Sequence, residues 1–140
     1  MAIEIPPQII KEIAEWLEMG MLCFYDKTTG ELEFYPDELR DPGFDDELWK
    51  DTIKKVKKNR KNYIPFEGMS SLEGFRVMAD FVDNINDMRT RSKFLDAISR
   101  KKSYSNFNNL LSYYPNLREQ WFAHKRERYI EFVNKQLLTQ

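Results

Sequence analysis

This chain has one cysteine and one histidine in 140 residues, and that scarcity removes whole classes of chemistry. With Cys23 alone there is no internal disulfide, which fits a reducing cytoplasm. A structural zinc site takes four Cys or His ligands, and a catalytic one usually takes three side chains drawn from His, Cys and carboxylates. Cys23 and His124, far apart in sequence, do not supply a four-ligand set. No spaced Asp/Gly loop suggests calcium or magnesium. No Gly-rich phosphate loop, GxSxG elbow or HExxH occurs either. Long apolar runs are also missing: Met19 to Tyr25, interrupted by Gly20, is far short of the ~20 residues that span a bilayer. Met1 to Pro7 carries no basic leader followed by an apolar run. The expectation is a cytoplasmic protein with no membrane segment, no metal and no cofactor.

What is present is charge and aromatic rings. Charged residues make up 32% of the chain and aromatics 14%, the profile of a soluble globular protein. The length predicts a single domain over residues 1–140, able to bury roughly 70% of its unfolded surface. The charge is sorted by position. Residues 1–48 hold three basic against thirteen acidic side chains, a net of −10, and residues 49–140 hold nineteen against ten, a net of +9. Closer in, residues 31–48 carry eight acids and one arginine, while residues 50–61 carry seven bases and one acid. An acidic hairpin-and-loop therefore abuts one basic helix.

The hydrophobic spacing predicts an amphipathic helix over Gln8–Met19, with Ile9, Ile10, Ile13, Trp16 and Leu17 on its inner face. Two β-rich runs follow, Met21–Tyr25 and Glu31–Tyr35. The link Asp26-Lys27-Thr28-Thr29-Gly30 is turn chemistry, so they form a hairpin. Asp45–Arg60 reads as a helix facing inward through Trp49, Ile53 and Val56. Tyr63–Phe66 is a short extended piece that could add a third strand at the hairpin's edge, where Pro65 is tolerable. Ser70-Ser71-Leu72-Glu73 is a capping box opening a helix whose stripe is Leu72, Phe75, Met78, Ala79, Val82 and Ile85. Helical stretches over Met88–Ser99 and Tyr104–Tyr114 follow. Pro115 then sits near the start of the longest helix, about Asn116–Leu138, which buries Phe122, Tyr129, Ile130, Val133 and Leu137 on one arc. The fold class is α+β, helix-dominated, with a small antiparallel hairpin or three short strands near the N-terminus.

Few residues point to chemistry. Lys50, Lys54, Lys57 and Lys61 recur at i, i+4, i+7 and i+11, a stripe that could lie along a phosphate backbone or form a solvated face. Aromatics that could stack on bases are absent from it, because Trp49 points inward. His124 falls among Glu127, Arg128 and Glu131 and reads as a solvated surface histidine. Cys23 reads as a small buried hydrophobe. Asp45 to Glu47 suit a helix N-terminus, and Asp80, Asp83 and Asp87 form a wet face. The aromatic group Tyr104, Phe107, Tyr113, Tyr114, Trp121 and Phe122 mostly packs the core. Trp121 and Phe132, on the flank of the buried arc, are its candidates for an exposed recognition surface.

Phe75-Arg76-Val77-Met78-Ala79-Asp80-Phe81-Val82, Leu95-Asp96-Ala97-Ile98, Tyr104-Ser105-Asn106-Phe107 and Arg118-Glu119-Gln120-Trp121-Phe122 carry a resemblance. With the hairpin turn Thr29-Gly30-Glu31 and Tyr63-Ile64-Pro65, the chain resembles the bacterial uncharacterised protein family one-five-eight. The resemblance implies a compact, mostly helical bacterial protein, and it brings no activity, cofactor or catalytic residue. The functional expectation is a non-catalytic interaction module that binds a protein partner or itself, as a homodimer, through charge complementarity. The alternative is a nucleic-acid-associated protein using the Lys50–Lys61 helix. A carboxylate-dependent hydrolase ranks third.

Overall fold

The computed structural model describes residues 4–140. They gather into two compact units, one formed by the chain up to Gly68 with Tyr129–Gln140, the other by Met69–Arg128.

In the first unit, helix α1 (Pro7–Glu18) opens with proline at its first position, where the missing N–H costs nothing. It buries Ile10, Ile13, Ala14 and Leu17. Gly20, at φ +89°, takes the left-handed step that turns the chain into strand β1 (Met21–Asp26). β1 pairs antiparallel with β2 (Leu32–Pro36), with Cys23 opposite Phe34. On its other side it pairs antiparallel with β3 (Tyr63–Phe66), with Cys23 opposite Phe66. The hairpin is therefore the core of a three-stranded sheet, order β2-β1-β3, and Pro65 lies exposed in an edge strand as its missing donor requires.

The β1–β2 turn is held from below. The Asp26 carboxylate accepts the N–H groups of Thr28 and Thr29 and the side-chain amide of Asn62, which ties the turn to the start of β3. Helix α2 (Asp46–Lys58) is capped by Asp45, whose carboxylate accepts the Glu47 N–H. It ends two residues short of the predicted Arg60, which begins a 3₁₀ turn leading into β3. Phe34 of β2 stacks on Trp16 at 3.9 Å and meets Trp49 of α2 at 6.2 Å, so both helices converge on one strand residue. Beyond β3, the Gln136 side-chain amide donates to the Glu67 carbonyl and accepts the Glu67 N–H, extending the strand's pairing by one residue.

In the second unit, Ser70 and Glu73 form the expected reciprocal capping box on helix α3 (Ser71–Asp83). Asp87 caps α4 (Met88–Ser99) through the Thr90 N–H. α5 (Ser103–Leu111) follows Lys102, which adopts φ +61°. The first half of α6 (Pro115–Leu138) completes the unit. Its core is aromatic: Phe107 packs edge-on against Phe81, Phe94 and Trp121 at 6.1, 5.5 and 4.9 Å.

Two inner faces differ from the sequence reading. In α3, Leu72 and Phe75 are 60% and 40% exposed, and the buried face runs through Val77, Met78, Phe81, Val82 and Ile85. Phe81 is drawn in by the Phe107/Trp121 cluster, which turns the helix by part of a residue step. In α6, Trp121 is 2% exposed and Phe122 is 47% exposed, the reverse of the expectation. The cause is that α6 serves both units. Its first half turns Trp121 and His124 inward, and its second half buries Tyr129 and Val133.

Candidate functional site

The candidate interaction residues divide sharply in the structure. Trp121 is no recognition residue on an open surface: it sits among Phe81, Phe107 and His124. Phe132 is half-buried, edge-on to Tyr129 at 6.4 Å. The lysines are a different matter. Lys50, Lys54, Lys57 and Lys61 are all exposed, as are Lys58 and Arg60 beside them. Among the described residues none of these six makes an ion pair with a carboxylate.

One basic side chain of α2 is paired. Lys55 donates to Glu33 of β2 at 2.8 Å, and that hydrogen bond, with the Glu33 charge, raises its pKa. Lys55 lies off the predicted stripe, on the flank that meets the sheet. Among the described residues, the acidic segment before α2 therefore pairs with the basic helix only through Glu33 and Lys55. Glu38, Asp41, Asp46, Glu47 and Asp51 are exposed and likewise make no ion pair among the described residues.

Three contributors escaped the sequence reading. Lys27, in the hairpin turn, donates its ammonium to the Lys61 carbonyl at 3.0 Å and adds a cation at the end of the basic row. Only the β3 pairing brings these two together, so no sequence signal marked it. Arg40, the lone base of the acidic segment, lies in a slot between two glycines. A Cβ added at Gly20 would stand 3.9 Å from its Cβ and Cδ, and one at Gly68 would stand 2.9 Å from its Nη2. With Asp37 3.9 Å from its Nε, this arginine pins the acidic loop to the unit. The third is the outer row of α2 itself. Glu47, Asp51, Lys54 and Lys58 fall at i, i+4, i+7 and i+11, opposite buried Val56, and all four are exposed. Helical periodicity contains this signal, but attention to lysines alone hides its acidic half.

Within the chain this row works against itself. Glu47/Asp51 and Lys54/Lys58 are like-charge i,i+4 pairs, each costing about 0.2–0.5 kcal/mol, and the single opposite-charge i,i+3 pair between them, Asp51/Lys54, offsets only part of that. The distribution along the helix suits the macrodipole, with acids in the first turn and Lys55, Lys57 and Lys58 in the last. The wider unit is acidic: it carries eleven basic and sixteen acidic side chains, a net of −5.

Elsewhere the candidate groups are structural. His124 is not a solvated histidine; its Nε2 lies 3.0 Å from the Val77 carbonyl and its ring leans on Phe81 and Trp121. Cys23 is fully buried, and desolvation, with Glu12 nearby, pushes its thiol up to about 12, which leaves no thiolate at neutral pH. Asp80 pairs with Arg128 at 2.7 Å, and Asp87 is spent as a cap, its carboxyl held below the usual range by the Thr90 hydroxyl and N–H. An open groove of about 400 Å³ lies between α4 and α5. Part of its polar lining is engaged: Arg100 pairs with Asp96, and the Asn106 amide donates to the Ala97 and Lys101 carbonyls. Among the described residues, no three His, Cys, Asp or Glu side chains converge as a metal set, and no helix is long and apolar enough to cross a membrane.

Among the described residues, the fold and surface together define a helix-dominated α+β protein, six α-helices with a three-stranded antiparallel sheet, with a concentrated charged helix face. Residues 8–139 match the Uncharacterised protein family (UPF0158), and the chain belongs to that family. The family carries no established activity. Comparison with curated proteins and with solved structures finds no match.

Proposed function

We propose that this protein is a non-catalytic interaction module whose docking surface is the outer face of α2, and that it recognises a protein of complementary charge in the bacterial cytoplasm. One observation supports this most: among the described residues, Lys50, Lys54, Lys57 and Lys58 of α2, and Lys61 just beyond it, make no ion pair and lie beside acids that make none either. Opposite charges this close in sequence would neutralise each other cheaply if stability alone set their placement. Kept apart, they give a bipolar surface suited to selecting a partner and setting its orientation.

A second reading, nucleic-acid association, draws on the same exposed lysines. Along α2 the row from Lys50 to Lys57 extends about 10 Å at the helical rise, long enough to meet more than one phosphate of a strand, and Lys61 lies beyond it in the 3₁₀ turn. The net of −5 on the unit that carries it weighs against this reading, since nucleic-acid surfaces sit on basic domains. Affinity purification from nuclease-treated host lysate separates the two. The expected result is a protein retained by the wild type and lost by the triple variant K54E/K57E/K58E. Retention of the same proteins by both would overturn the docking surface. Tight, salt-sensitive binding of a labelled oligonucleotide, abolished in the variant, would favour the second reading.

A further inference from the structure

The outer row of α2 is complementary to itself, and from this we infer that two copies of the chain dock through antiparallel α2 helices. The inference deepens the module proposed above and rests on that reading. Along the exposed face the charges run Glu47, Asp51, Lys54, Lys58, two acids and then two bases at near-equal steps. Laying a second α2 antiparallel against the first brings Glu47 opposite Lys58 of the second copy and Asp51 opposite Lys54 of the second copy. The two-fold axis, passing between Asp51 and Lys54, returns both pairs, so one register satisfies four. An isologous contact of this kind closes on itself and stops at a dimer.

A parallel arrangement sets acid on acid and base on base, and a shift by one turn leaves either Glu47 or Lys58 unpaired and sets Asp51 or Lys54 against its own counterpart. The charge order therefore specifies both direction and register, as charged flanks do in paired helices. The same docking relieves the like-charge neighbours within each helix, each of which gains an opposite charge across the interface. Leu48, 76% exposed on the flank of the row, is the apolar side chain in reach, and lysine stems of the second copy can cover it. The contact is a weak one, since exposed ion pairs contribute little individually. A dissociation constant of about 0.1–1 mM at low salt is the scale such a face supports.

Sedimentation equilibrium at protein concentrations up to about 1 mM in low salt tests it, with four proteins: wild type, D51K, K54D and the double swap D51K/K54D. The expected result is a wild-type dimer that dissociates as salt is added. Each single reversal creates two like-charge contacts and weakens association at least tenfold, and the double swap restores it. A wild type that stays monomeric throughout, or a double swap as weak as either single, would overturn the inference. Circular dichroism confirms that each variant retains its helices. Loss of self-association with retention of an α2-dependent lysate partner would sink the homodimer and leave the module standing, so the two failures are distinguishable.

Discussion

Replacing Trp121 by alanine removes the indole that closes the second unit. Its ring lies 4.9 Å from Phe107 and 5.4 Å from Phe81, both edge-on, and leans on His124 at 6.0 Å. Truncating a fully buried tryptophan costs the transfer free energy of the ring plus the cavity it leaves, about 3–5 kcal/mol. With a urea dependence near 2 kcal/mol per molar, a typical slope for a small protein, the unfolding midpoint falls by about 2 M. Far-UV circular dichroism follows the transition without relying on the deleted fluorophore. The adjacent Phe122 provides the control: half-exposed beneath the Arg118 guanidinium at 5.2 Å, it costs about 1 kcal/mol or less when truncated. A Trp121→Ala midpoint close to wild type, or a larger loss at Phe122 than at Trp121, would refute the rotated face of α6.

Three further outcomes follow from the first unit. Cys23 reacts with a thiol reagent at pH 8 only on the timescale of unfolding, and at once in denaturant; fast labelling of the native chain would contradict its burial. Gly68→Ala displaces the Arg40 guanidinium, whose Nη2 would lie 2.9 Å from the new methyl, at a cost of about 1 kcal/mol or less because a flexible side-chain end can move. Faster amide exchange across residues 36–43 reports the freed loop, and unchanged exchange counts against the pin. Asp26 is held below its ordinary pKa, first by the Thr29 N–H and then by Thr28 and Asn62. A depressed carboxyl contributes stability that is present above its unfolded value, near 3.9, and is lost as pH falls through the folded one. Asp26→Asn should therefore flatten the loss of stability below about pH 4, and an identical acid profile in wild type and variant would remove Asp26 as a cause.

Much of the fold was legible because local chemistry and tertiary structure agree. Turn residues Asp26 to Gly30 do form the hairpin, Ser70 and Glu73 do close a capping box, and Pro65 does sit at a sheet edge. What was not legible has a common physical root: helical periodicity gives a face but not what covers it. α6 buries one face in the second unit and another in the first, so a single arc drawn along its length placed Phe122 inside and Trp121 outside. α3 offered Leu72 and Phe75 as a plausible stripe, and only the rings of Phe107 and Trp121 select Phe81 instead. His124 had polar neighbours in sequence, and its contacts come from α3, far away in the chain. The charge on α2 was visible, but whether it met acids or water depended on how β2 and the acidic loop are held. Arg40 in its glycine slot and Lys55 on Glu33 decide that, and neither contact leaves a mark on local sequence.

The bipolar face of α2 is tested most directly by mixing two variants that cannot pair with themselves. One, K54E/K58E, has an all-acidic outer row; the other, E47K/D51K, an all-basic one. Native mass spectrometry of the pair at low salt distinguishes every combination by mass. The expected result is monomers of each alone and a mixed dimer when combined. Monomers in the mixture, or dimers of either variant with itself, would contradict the assignment of this face.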